Sequence, residues 1–98
     1  MAQEEFYLPG NLTGIATSGQ FDGPEEDSEA SVIYEHERCV AAWLEYTLEN
    51  EGVSTTRRIQ ILPQPRNALS HSILPAGAKY RLIANVGNRG FFRGRIIY

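Results

Sequence analysis

Residues 80–86 alternate strictly between two kinds of position, and this period of two constrains the fold more than any other feature of the chain. Tyr80, Leu82, Ala84 and Val86 fall on one side, and Arg81, Ile83 and Asn85 fall on the other. Successive side chains of a β-strand point to opposite faces of its sheet. The alternation therefore predicts a strand with one buried face.

Two further segments of the second half have the composition of strands. Residues 56–62 form a β-branched run that stops at Pro63. Residues 87–90, Gly-Asn-Arg-Gly, are typical of a hairpin loop, and residues 91–98 then form the predicted return strand. Gly94 inside this strand predicts a bulge or a close approach of another backbone.

The connections between these segments carry turn signals. Residues 74–77, Leu-Pro-Ala-Gly, predict a tight turn in which proline fixes φ, and residues 64–72 predict a loop. Residues 73–86 are similar to the turn, Pro-x-Gly, Tyr and alternating-strand phrase of many β-sandwich domains, among them surface modules and viral decoration proteins. The resemblance covers about 14 of the 98 residues and implies a fold class, not an activity.

Residues 31–50 are compatible with a strand or with one helix. For a helix, Ser28 could cap the N terminus and Gly52 fits a C-terminal stop. For a strand, alternate residues from 40 to 48 are apolar, and Glu51-Gly52 is then a turn. We favour the strand because the rest of the chain has the pattern of strands.

The 98 residues have the length of one domain. We predict an all-β or mostly β fold, a small antiparallel β-sandwich or barrel over residues 31–98. Residues 1–30 predict an irregular, loosely ordered acidic arm rich in glycine and proline. The predicted core consists of Val40, Ala42, Leu44, Tyr46, Leu48, Ile59, Ile61, Leu82, Ala84, Val86 and Ile96.

The charges of the chain are divided between its two halves. Residues 1–52 hold all 12 acidic residues and one arginine, a net charge of −11, whereas residues 53–98 hold eight bases and no acid. Three arrangements explain the division. The halves could neutralise each other within one chain, the acidic arm of one subunit could dock on the basic sheet of the next, or the basic half could bind an acidic partner or nucleic acid.

Catalytic and metal-binding groups are sparse, so we predict a protein that is not an enzyme and holds no metal or cofactor. Cys39 lies in an apolar stretch, where a cysteine is typically a small core residue. His36, His71 and Cys39 are too few for a structural zinc site, which usually takes four such ligands. Glu35 and Glu37 could in principle act as a general acid and base, but a solvated, charged face of a strand explains the two residues more simply.

The sequence predicts no membrane partner and a location in the cytoplasm or in a virion. The first residues contain no basic region followed by an apolar run, as a secretory signal would. No apolar stretch approaches the roughly 20 residues needed to span a bilayer.

Residues 89–95, Arg-Gly-Phe-Phe-Arg-Gly-Arg, interleave arginines with aromatic residues. This composition suits single-stranded nucleic acid, because bases stack on rings and phosphates pair with guanidinium groups. It begins like the RNP1 pattern of RNA-recognition motifs but departs from it at Phe92 and Arg93. The alternative is an edge strand with its aromatic residues in the core and its arginines outward.

We therefore predict a non-enzymatic assembly, decoration or protein-binding module. Its partner would be another protein or copies of itself in a homo-oligomer, for example as an accessory structural subunit of a particle such as a virion. A single-stranded nucleic-acid-binding β-domain is the alternative. The predicted partner-binding residues are Arg81, Arg89, Phe91, Phe92, Arg93 and Arg95.

Overall fold

The computed structural model describes residues 2–63 and 73–98, and within these ranges every regular element is a β-strand. The strands pair antiparallel, so the all-β antiparallel prediction is confirmed. The described residues contain no helix, and so none that could span a membrane. The elements are β1 (Gln3–Pro9), β2 (Ile15–Thr17), β3 (Phe21–Asp22), β4 (Ser28–Glu29), β5 (Ser31–Asn50), β6 (Val53–Leu62), β7 (Ile73–Leu74) and β8 (Lys79–Ile97).

Strand β8 is the centre of a six-stranded sheet. On one side it pairs with β5 along nearly its whole length, and β6 pairs with the second half of β5. On its other side it pairs in turn with β1, β2 and β3. The remaining strands, β4 and β7, form a separate two-stranded sheet.

The main sheet bends so strongly that the two ends of its central strand, β8, come close together. A straight strand of 19 residues would be about 60 Å long at about 3.3 Å per residue, but the longest dimension of the protein is 41 Å. At the end of β8, Tyr98 donates a hydrogen bond from its hydroxyl to the carbonyl oxygen of Asp22, at 3.1 Å. Asp22 pairs with Lys79 at the beginning of β8. The halves of one sheet therefore enclose one core.

The bend coincides with irregular pairing between β5 and β8. The register shifts on both sides of Cys39, and both Arg38 and Arg89 have positive φ. A Cβ at Gly90 would lie 2.3 Å from the carbonyl oxygen of Glu37, so the two backbones are in close contact there. The predicted hairpin loop at residues 87–90 is wrong. β8 passes through it unbroken because pairing with β5 continues on both sides.

Residues 31–50 form a single strand, and the helix alternative is wrong. At the following turn, Glu51 has φ 53° and Gly52 has φ 80°. Two consecutive positive φ values characterise the type I′ turn, which matches the twist of a two-stranded hairpin. This turn joins β5 to β6 in the register Asn50 to Val53.

The first 30 residues contribute three short strands to the main sheet, where the sequence had predicted a loosely ordered arm. Ala2 and Tyr98 exchange backbone hydrogen bonds, and the Gly10 amide donates to Gly90. Alternation places the backbone groups of the even-numbered residues of β1 toward β8. Pro9, at an odd position, therefore leaves the ladder with β8 intact. The long edge of β8 provides the hydrogen-bonding partners that organise this segment.

The core extends through both halves of the bent sheet. All predicted core residues except Val40 are buried or packed against the core. Val40 is 67% exposed because the register shift at Cys39 changes which side chains face inward. Core residues outside the prediction include Phe6, Leu8, Leu74, Tyr80 and Phe92.

Candidate protein-binding face

The arginine and aromatic residues of β8 are divided between the two faces of the sheet. Phe92 is fully buried and packs against Phe6 and Tyr34, with ring centroids 5.0 and 5.5 Å away. Its predicted role in partner binding is therefore wrong, since its ring belongs to the core. Phe91 and Arg93 lie on the opposite, outer face. The alternation that buries Phe92 is the one that presents its neighbours outward.

Neighbouring strands place side chains of β1 and β5 beside the arginines. Arg93 is paired with Tyr7 and Glu35, and Arg95 is paired with Glu5 and Ile33. Together with the backbone of Gly94, these residues line a shallow groove. We call it the Arg93–Arg95 groove; its outward side chains are Glu5, Tyr7, Ile33, Glu35, Arg93 and Arg95.

Part of the groove is held rigid by contacts within the protein. The Tyr7 ring stacks on Phe91 with centroids 6.5 Å apart and an interplanar angle of 13°. The guanidinium of Arg93 lies 5.0 Å from the centroid of Phe91 and forms an ion pair with Glu35. These contacts order one wall of the groove before any partner binds.

The groove also presents exposed apolar side chains and one charge without an ion-pair partner. Tyr7 is 59% exposed and Ile33 is 53% exposed. Arg95 has no acidic group within 4.0 Å among the residues that the structure describes. Aromatic residues and arginine are enriched at protein interfaces.

The charge of this face is not the positive charge that the sequence of β8 alone suggests. β1 and β5 bring Glu5, Glu35 and Glu37 into register beside Arg95, Arg93 and Phe91. Three carboxylates and two guanidinium groups give the face a net charge of −1. The face is thus mixed in sign and lacks the positive surplus expected of a nucleic-acid-binding surface.

Arg81, another predicted binding residue, lies on the other half of the sheet in a second charged cluster. Glu45, only 7% exposed, accepts hydrogen bonds from Nε of Arg58 at 2.9 Å and from Nε of Arg81 at 2.7 Å. Burial acts to raise the pKa of Glu45, but the two guanidinium groups outweigh it and hold the pKa below its usual value. Trp43 lies beside this Arg58–Glu45–Arg81 cluster, with its ring centroid 5.7 Å from the Arg58 guanidinium carbon.

Arg89 is separate from both groups. It lies at the bend of β8, with an exposed side chain and φ 69°. Nearby, Arg38 donates a hydrogen bond to the carbonyl oxygen of Asn88 at 3.1 Å. The structure therefore distributes the six predicted residues over the groove, its margin at Phe91, the cluster, the bend and the core.

Of the cysteine and histidine residues considered for catalysis or metal binding, Cys39 and His36 lie in the described structure. Cys39 is buried, and burial raises the pKa of its thiol. His36 is exposed beside the ring of Tyr34. The described parts of the chain contain no group of three metal-ligating side chains. His71 lies outside them.

The sequence prediction missed Glu5, Tyr7 and Ile33 in the groove. In residues 5–8 the more polar Glu5 and Tyr7 alternate with Phe6 and Leu8, which is a short signal of a strand. Its neighbours, however, depend on the register with β8, which no local pattern contains. Comparisons with protein families, curated proteins and solved structures find no match to this chain.

Proposed function

We propose that this chain is a non-enzymatic protein-binding module that assembles with copies of itself through the Arg93–Arg95 groove. The observation that carries the proposal is the combination of half-exposed Tyr7 and Ile33 with Arg95, whose charge has no acidic partner among the described residues. A preformed, partly apolar groove with one such charge suits a protein surface that carries an apolar residue beside a carboxylate.

An accessory structural role in a larger homo-oligomeric particle, in the cytoplasm or in a virion, is the setting we propose for this module. A domain of 98 residues buries a smaller fraction of its surface than a large protein does. Contacts between copies would bury additional apolar surface, such as Ile33 and Tyr7. Burial raises the pKa of the Cys39 thiol and so disfavours the nucleophilic thiolate, which supports a function without catalysis by this cysteine.

Nucleic-acid binding is the less favoured function. The groove has no positive surplus, because its two carboxylates and two guanidinium groups sum to zero, and Phe92, one of the expected stacking residues, is in the core. Fluorescence anisotropy with a labelled single-stranded oligonucleotide at about 50 mM salt should show no binding, since phosphate-dominated affinity is strongest at low salt. Binding that the Phe91→Ala substitution abolishes would favour nucleic acid instead.

Sedimentation velocity over a range of protein concentrations tests the assembly function. Wild-type protein should associate reversibly, and the double variant Tyr7→Ser/Ile33→Ser should weaken that association at least about tenfold, equivalent to about 1.4 kcal/mol. Val40→Ser is the matched control, because Val40 is also an exposed apolar residue of β5 but lies outside the groove. A monomer at every concentration, or an equal loss in the control, would contradict the proposal.

A further inference from the structure

The Arg58–Glu45–Arg81 cluster carries an excess of positive charge on the second half of the outer face. One carboxylate serves two guanidinium groups, and Glu45 is the only acceptor found for either arginine among the described residues. Both arginine side chains remain about half exposed. A guanidinium group has five N–H donors, so donors remain for a further carboxylate beyond Glu45.

The chain also has an exposed acidic segment that forms no ion pair within the described structure. Residues 24–29, which we call the acidic loop, contain Glu25, Glu26, Asp27 and Glu29, and all four side chains are exposed. Within the described structure no cation lies within 4.0 Å of any of them.

The acidic loop is fixed in place rather than free to reach across its own subunit. Oδ1 of Asp27 accepts a hydrogen bond from the Ala76 amide at 2.8 Å. The Ser28 hydroxyl donates to the carbonyl oxygen of Glu26 at 2.8 Å, and Ser28 and Glu29 at the end of the acidic loop form β4, which pairs with β7. These contacts hold the acidic loop as a preformed surface feature.

We propose that the acidic loop of one copy binds the Arg58–Glu45–Arg81 cluster of a second copy. The inference rests on the proposed assembly function and adds a contact separate from the Arg93–Arg95 groove. Charge-assisted hydrogen bonds between arginine and carboxylate are strong and directional. The two surfaces differ, so the contact is heterologous and can close into a ring or extend into a filament.

A second copy fits the cluster better than nucleic acid does. The surplus of the cluster is one positive charge, which is small for a polyanion, and the chain as a whole carries −3. The acidic loop matches this small surplus with a compact group of carboxylates. Trp43 beside Arg58 gives the contact an aromatic component and an optical signal, as it is the only tryptophan in the sequence.

The test uses charge variants of the full chain, all made in the Tyr7→Ser/Ile33→Ser background to remove the groove contact. Glu25→Lys/Glu26→Lys reverses the acidic loop, and Arg58→Gln removes the surplus charge while Glu45 keeps Arg81. Glu49→Lys/Glu51→Lys is the control, with the same change of charge at one exposed position near the end of β5 and one in the turn that follows it. Thermal unfolding verifies that each variant is folded.

Sedimentation velocity and Trp43 fluorescence provide the readouts. At low salt the background and control proteins should associate, and association should disappear near about 1 M salt, where the Debye length is about 3 Å. The loop variant and the Arg58→Gln variant should each associate at least about tenfold more weakly. Mixed together they should form a 1:1 dimer and change the Trp43 emission, because one supplies an intact loop and the other an intact cluster.

The possible failures separate the two proposals. Wild-type protein that associates only through the groove, so that the background protein is monomeric at low salt, would overturn the loop-to-cluster contact and leave the assembly function standing. Equal weakening in the Glu49→Lys/Glu51→Lys control would also overturn it, since bulk charge would then be responsible. Wild-type protein that never associates would overturn both.

Discussion

The hydroxyl of Tyr98 donates a hydrogen bond to the backbone carbonyl of Asp22 at 3.1 Å, and so joins the two ends of the long strand β8. Lys79, the partner of Asp22 in the sheet, is at the opposite end of that strand from Tyr98. The contact is possible only because the sheet bends at the register shifts near Cys39. It therefore closes the fold.

Removal of this closing hydrogen bond should lower stability without loss of the fold. For Tyr98→Phe we expect a decrease of about 0.5–1.5 kcal/mol in the free energy of unfolding, the usual net value of one hydrogen bond. Urea denaturation measures it. Tyr7→Phe is the control, because the Tyr7 hydroxyl is on the exposed outer face; equal effects in the two variants would show that Tyr98 has no special closing role.

Gly94 should be intolerant of a side chain. A Cβ at this position would lie 2.0 Å from the carbonyl oxygen of Ile33 and 2.7 Å from Cα of Tyr34, so the two strands would have to separate. We expect Gly94→Ala to cost about 1–3 kcal/mol, as overpacking does. Gly19→Ala should be within about 0.5 kcal/mol of wild type, since nothing lies within 4 Å of its added methyl group. Chemical denaturation of both variants measures the two free energies of unfolding. A Gly94→Ala variant as stable as the wild-type protein would contradict the close approach of β5 to β8.

The adjacent residues Phe91 and Phe92 should respond in opposite ways to truncation. Phe92→Ala removes a fully buried ring and should cost about 3–5 kcal/mol or prevent folding. Phe91→Ala removes a ring from the outer face and should leave the protein folded, with a loss of about 1 kcal/mol at most from its contact with Tyr7. Circular dichroism and urea denaturation give both values. The reverse order would mean that β8 presents the other face to the core.

Stability should depend on the ionisation of Glu45. Because the folded-state pKa of Glu45 is lowered, its unfolded form takes up protons first as the pH falls. The contribution of Glu45 is therefore complete above about pH 4.5 and is lost as the pH falls through the folded-state pKa. Glu45→Gln should cost about 1–3 kcal/mol at pH 7 and reduce this acid dependence.

The control for Glu45 is Glu37→Gln, which alters an exposed glutamate of the same strand. Urea denaturation at pH 7, 5 and about 3.5 distinguishes the variants. If Glu45→Gln retained the full acid dependence of the wild-type protein, other carboxyl groups would be responsible for it.

The Cys39 thiol should be protected in the native state. It is buried, its pKa is raised by burial, and it donates to the carbonyl oxygen of Ala41 at 3.4 Å. A thiol reagent at pH 8 should label it at least about tenfold more slowly than in denaturant, since the thiolate is the reactive form. Rapid labelling of the folded protein would contradict this environment.

Local pattern is sufficient for the three long strands, β5, β6 and β8. The alternation at residues 80–86 and the β-branched run at residues 56–62 both correspond to strands in the structure, and Glu51-Gly52 forms the predicted turn. Residues 87–90 show the limit of such patterns. Their composition suits a hairpin loop, but β5 supplies pairing partners before and after them, and the long-range hydrogen bonds keep β8 continuous.

The candidate site was predictable in part. Alternation along β8 is enough to place Arg93 and Arg95 on one face and Phe92 on the opposite face. It could not identify Ile33 as the neighbour of Arg95, because the two residues are 62 positions apart in sequence and are joined by register alone. The pairing of the acidic strands β1 and β5 with the basic strand β8 also depends on long-range register and not on a local pattern.

The sequence by itself determined the β-strand character of this chain and the division of its charges. Alternation is a pattern of neighbouring residues, and the charged residues of each half can be counted directly. Only the tertiary structure decided how those charges meet. Register between distant strands pairs Glu35 with Arg93 and places one carboxylate, Glu45, between Arg58 and Arg81. It leaves Arg95 and the acidic loop without ion-pair partners in the described structure, because backbone hydrogen bonding and core packing set the register first.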